Sequence, residues 1–167
     1  YSAAARPLTG ANLALHVGRW FSMALGLAAL LFVYLTARLA FPASPPARLF
    51  ATLIVAAIPQ FAFISSSLSN DSLVVLLSMA TVWWLARLVS KERTEAVAWW
   101  EWAALGGLLG LAALSKLHGL VLLAPVGLVM LWRAWQRRSL RELLASAALV
   151  ALPALLIAGW WYWRNYQ

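Results

Sequence analysis

Asp71 is the only aspartate in a chain of 167 residues. It lies in Ser65-Ser66-Ser67-Leu68-Ser69-Asn70-Asp71-Ser72, a polar run without Lys or Arg between two long apolar runs. A carboxylate placed there can pair with a cation, or hold a hard divalent ion against phosphate oxygens. Two other polar breaks carry complementary groups: Ser115-Lys116-Leu117-His118-Gly119 interrupts an apolar stretch over 103–132, and Arg164-Asn165 closes the aromatic run Trp160-Trp161-Tyr162-Trp163. Lysine offers a compact point charge and arginine a planar donor fork, and both suit a phosphate or pyrophosphate. The candidate site is therefore Asp71 and Lys116, with Asp71 as the single possible metal ligand, and with Asn70, His118, Arg164 and Asn165 as substrate contacts.

Each of these residues also has a plainer role. Asn70 and Asp71 precede an apolar helix, where a short polar side chain is a common N-cap. Lys116 can snorkel from a helix end. His118 reads as a turn residue, since no second His or carboxylate stands at ligand spacing from it. Arg164 reads as an interfacial anchor. Cysteine is absent, which removes disulfides, thiolate metal sites and cysteine nucleophiles.

The elements that must position these residues follow from composition. The chain is 64% hydrophobic and 11% charged, against about 25% charged in soluble domains. This predicts an all-α, polytopic transmembrane bundle, a single membrane domain over 1–167. The 13 Lys+Arg against 5 Asp+Glu cluster at the ends of apolar runs, as in membrane proteins, so no nucleic-acid partner is expected. Six spans are predicted: 20–41, 49–64 with a kink at Pro59, 73–89, 103–114, 120–132 and 143–163. The 103–132 stretch would measure about 45 Å as one helix, too long for a single upright crossing, so the Ser115–Gly119 break is taken as a tight turn between two short spans. Gly106, Gly107 and Gly110 give the first of these a small packing face.

Alternating the spans puts Arg38, Arg48, Arg87, Lys91, Arg93, Arg133, Arg137, Arg138 and Arg141 at one end, nine of the 13 basic residues, and this end is assigned to the cytoplasm. Arg6, Arg19, Lys116 and Arg164 fall at the other end with Asp71 and His118. Merging the two short spans would split the basic loops between faces. Glu92, Glu95, Glu101 and Glu142 read as solvated partners of the arginines. The opening Tyr1 suggests an internal piece of a longer protein.

The order Arg19-x-x-Ser22, then Pro59-Gln60-Phe61 with Ser65 to Asp71 and Ser72-Leu73, then Gly110-Leu111-Ala112-Ala113-Leu114-Ser115-Lys116, then Trp160-Trp161-Tyr162-Trp163-Arg164-Asn165, resembles bacterial polytopic glycosyltransferases of the GT-C superfamily, relatives of the protein mannosyltransferases and lipid A aminoarabinose transferases. The resemblance covers essentially the whole chain. It implies an inner-membrane enzyme that moves a hexosyl or pentosyl unit from a polyprenyl-phosphate carrier to an acceptor on the non-cytoplasmic face, with a divalent metal ion as a possible cofactor. Asp71 matches the family's second-loop acidic residue and Lys116 the lysine at its short turn between the fifth and sixth spans. The family's acidic catalytic motif, in a first outer loop after an initial span, has no counterpart here, which implies that this piece alone is inactive. A transporter or flippase component for a lipid-linked or anionic substrate is the alternative class. Such proteins commonly show repeated halves and charges within the spans, and this sequence shows neither.

Overall fold

The computed structural model describes residues 10–92 and 95–166, so Arg6 and Arg93 lie outside the described residues. Among the described residues there are helices and no strand. They are α1 (Gly10–Ala40), α2 (Pro45–Ala56), α3 (Pro59–Ser66), α4 (Asp71–Ser90), α5 (Trp99–Ser115), α6 (Leu123–Arg137), α7 (Leu140–Ala154) and α8 (Trp160–Tyr166). A 3-10 helix over Leu117–Leu122 leads into α6, and a π-helix over Leu155–Gly159 joins α7 to α8.

Local chemistry sets most of these boundaries. Ser44 caps α2 by accepting from the Ala47 amide at 3.4 Å, with prolines in the first turn. Arg48 donates from Nε to the Phe41 carbonyl at 2.9 Å and from its fork to the Pro42 carbonyl, which ties the α1–α2 loop down. At Pro59 the second span breaks instead of kinking: the chain leaves helix after Ala56, restarts at Pro59 and bends by 67°, because proline carries no amide hydrogen and disfavours helix in the residue before it. Arg138 takes a left-handed conformation, φ 49°, and Ser139 caps α7 through the Glu142 amide at 3.2 Å. Pro153 sits inside α7 and lacks the N–H that would reach back to the Leu149 carbonyl; the π turn begins two residues later, at Leu155.

Four helices are long and apolar enough to cross a membrane: Leu13–Ala40, Asp71–Ser90, Leu117–Arg137 and Leu140–Tyr166. The bent α2–α3 pair makes a fifth if it crosses as one broken span. The first helix thus begins well before the expected Trp20. The span after Lys116, expected to be short, is 21 residues once its 3-10 turn is counted. The remaining helix, α5, has 17 residues, about 25 Å at 1.5 Å each, against a hydrocarbon core of about 30 Å. Contacts at its two ends, described below, nevertheless show it running the same course as α4 and α6.

The core lies among α4, α5, α6 and α7, built from Leu77, Leu85, Leu88, Trp102, Leu105, Leu109, Leu122, Val126, Met130 and Val150. The glycine face of α5 meets α7. A Cβ on Gly106 would run into the Val150 carbonyl and one on Gly110 would lie 3.0 Å from the Ala154 Cα, whereas Gly107 faces open space. On the periphery the pattern inverts, with Phe50, Leu128 and Leu156 at 67%, 67% and 71% exposure. So many exposed large apolar side chains mark a surface solvated by lipid.

Candidate functional site

The loop between α3 and α4 is tied from below. The buried Ser72 hydroxyl donates to the Ile64 carbonyl at 2.9 Å, closing the end of α3 onto the start of α4. Asn70 occupies the N-cap position, but its side chain makes no capping bond. The cap expected of it is replaced by Ser69, whose hydroxyl accepts from the Asp71 amide at 3.3 Å. Asp71 is therefore the first residue of α4, with its carboxylate at the positive end of the helix dipole.

Lys116 is the whole of the link between α5 and the 3-10 helix, with extended backbone at φ −161°, ψ 140°. Its amide donates to the Ala112 carbonyl at 3.0 Å, and its carbonyl accepts from the Gly119 amide at 2.8 Å. Glycine is required at 119, since a Cβ there would strike the Ala112 carbonyl. The tight turn is thus a one-residue joint. Its side chain reaches across 45 positions of sequence to form an ion pair with Asp71. The two side chains are 43% and 38% exposed, so the pair is open to a ligand.

The other expected contacts are less closely gathered. His118 is exposed on the 3-10 turn two residues beyond Lys116. Arg164 stands over the indoles of Trp160 and Trp161, at 5.5 and 4.7 Å from their centroids, instead of against Asp71 or Lys116. Asn165 is exposed beside it. α8 is held at the same end of the bundle, because the Tyr162 hydroxyl donates to the Ala113 carbonyl at 2.7 Å, three residues before Lys116. Among the described residues no three His, Cys, Asp or Glu side chains group closely enough to hold a metal ion. Asp71, the expected metal ligand, is instead paired with the Lys116 ammonium.

Beneath this surface lies an apolar groove of about 590 Å³. Its walls are Leu109, Gly110 and Ala113 of α5, Gly119, Leu120 and Leu123 before and at the start of α6, and Ala151 to Tyr166 along the π-interrupted helix. Small residues of α5 form one wall, and the helix interrupted by the π turn forms the other. A groove of this size lies in the range that buries small ligands, about 300–1,000 Å³.

At the opposite end the charges behave differently from the solvated partners expected. Glu101 is 2% exposed; it pairs with Lys91 at 2.8 Å and accepts from the Ala98 amide at 3.1 Å. Arg133 is 1% exposed and donates to the carbonyls of Lys91, Glu92 and Glu95 at 3.3, 3.2 and 2.6 Å. Glu142 pairs with Arg137 at 3.3 Å, partly buried. Glu95 matches the expectation best, 53% exposed and 3.4 Å from Lys91. A signal for the burial of Glu101 and Arg133 was present in Trp99-Trp100-Glu101-Trp102 and Trp132-Arg133-Ala134-Trp135, where a single charge is flanked by indoles.

The described residues thus form a helical bundle with an exposed lysine–carboxylate pair beside an apolar groove. The family model described as dolichyl-phosphate-mannose-protein mannosyltransferase matches residues 8–163. The chain belongs to that family, and it is a multi-pass membrane glycosyltransferase of the GT-C type. No curated protein and no solved structure matches the chain.

Proposed function

We propose that this chain forms the donor-phosphate part of an enzyme that moves a sugar from a polyprenyl-phosphate carrier to an acceptor on the non-cytoplasmic side of the cell's plasma membrane. The observation that carries it is the Lys116–Asp71 pair on a one-residue joint, at the end away from the basic loops and beside an apolar groove. In the transfer, the bond from the sugar's anomeric carbon to the lipid phosphate breaks as the acceptor oxygen bonds to that carbon. The acceptor proton passes to a base, which the family resemblance assigns to the first outer loop. The departing phosphate gains charge, and an ammonium already fixed in place stabilises it without reorganisation.

Asp71 is the counter-ion that holds Lys116 in position before the donor arrives, and it yields the ammonium to the phosphate. Arg164, bound to indole faces and not to a carboxylate, is the secondary cation. The groove takes the first isoprene units of the carrier. The family gives no support to a transporter or flippase role.

The test is turnover of the full-length enzyme with a polyprenyl-phosphate sugar. Lys116→Ala lowers kcat by on the order of 10²–10³, the loss typical of removing one preorganised group that stabilises developing negative charge. Asp71→Asn lowers it less, and Lys116→Arg retains part. Unchanged turnover in both Lys116→Ala and Asp71→Asn refutes the assignment.

A further inference from the structure

α4 and α5 run antiparallel, and the residue that ends each is a lysine paired with a carboxylate in the first turn of the other. Lys91 ends α4 and meets Glu101 of α5; Lys116 ends α5 and meets Asp71 of α4. The two clasps differ in burial. The Glu101 and Lys91 side chains are 2% and 18% exposed, those of Asp71 and Lys116 38% and 43%. From Asp71 to Lys91 α4 rises about 30 Å, and from Glu101 to Lys116 α5 rises about 22 Å, at 1.5 Å per residue. The shorter helix can meet both ends of the longer one only at a narrow range of heights.

We propose that Lys91, Glu101 and Arg133 are positioning residues, which set the height of the Lys116 joint against Asp71 from the far end of the bundle. The joint is the apex of a hairpin whose legs are α5 and α6. The foot of α5 is held by Glu101 to Lys91, and the foot of α6 by Arg133 to the carbonyls of Lys91, Glu92 and Glu95. Both feet are therefore fastened to the segment that continues directly from α4, the helix whose head carries Asp71. A helix is stiff along its axis, so fixing both feet fixes the apex. The exposed clasp can then open toward a ligand while the buried one keeps the register. The height of the joint is a distance and not a rate, so its failure and a failed transfer assay are distinguishable.

The experiment measures the separation of spin labels at Asn70→Cys and Leu117→Cys, both exposed positions, in the full-length protein reconstituted in bilayers on a background without other cysteines. Glu101→Gln and Lys91→Met each shift or broaden that separation by about 1.5 Å or more, one residue's rise. Lys91→Arg, which keeps the charge, leaves it unchanged. Val126→Ala, a core truncation on α6, lowers stability without moving the labels. Unchanged separation in the folded Glu101→Gln and Lys91→Met proteins overturns the proposal. So does an equal shift in Val126→Ala, or loss of helix content in both charge-removing variants.

Discussion

Glu101→Ala and Lys116→Ala each delete one half of a lysine–carboxylate pair, yet burial predicts opposite consequences. Deleting Glu101 leaves the Lys91 ammonium in a site where its partner was 2% exposed, with Glu95 at 3.4 Å as the remaining counter-charge, and orphans the Ala98 amide. Breaking a buried pair costs about 3–5 kcal/mol. The residual Glu95 contact puts this case at the lower end, and the lost amide acceptor adds about 1 kcal/mol. Deleting Lys116 leaves a carboxylate 38% exposed, which water solvates, and exposed pairs contribute about 0–1 kcal/mol. The two variants should therefore differ by about 3 kcal/mol in reversible unfolding measured in bicelles. In turnover the order reverses at saturating donor, Lys116→Ala being the more damaged. Unfolding losses that agree within about 1 kcal/mol would refute the distinction between a structural and an available clasp.

Three further outcomes follow from the packing. Gly106→Val forces α5 away from the Val150 carbonyl and destabilises by about 1–3 kcal/mol, whereas Gly107→Ala, facing open space, is neutral or slightly stabilising in the same unfolding assay. Ala158→Phe fills the groove, raising KM for a long-chain donor more than for one truncated to its first isoprene units, as read from initial rates with the two substrates. Tyr162→Phe removes the bond to the Ala113 carbonyl, at about 1 kcal/mol, and loosens α8, which appears as faster hydrogen exchange at Tyr162 to Tyr166.

The broad arrangement was legible because a bilayer leaves few options. Apolar length, proline breaks and the distribution of basic residues are enough to place Asp71 and Lys116 at one end, and in the structure they meet. Side-chain direction around a helix was less legible. Glu101 and Arg133 lie among several solvent-accessible charges, and span counting reports the end of the bundle a residue occupies, not whether it faces inward. The capping of α4 by Ser69 instead of Asn70 is a matter of loop dihedrals that residue types alone do not specify. The groove was not foreseen either, since it depends on which residues of the π-interrupted last span face the small residues of α5.

The π turn in that span sets the phase of everything beyond it. A π turn accommodates one residue more than the α-helix around it, so the segment Leu155–Gly159 behaves as a one-residue insertion absorbed without a loop. Winding the same residues as uniform α-helix would instead rotate α8 by about 100°. Tyr162 would swing off the Ala113 carbonyl, and Arg164 would leave its present azimuth together with the indoles beneath it. A substitution that closed the π turn to regular α-helix without changing the chain length would present a different aromatic face at the membrane surface.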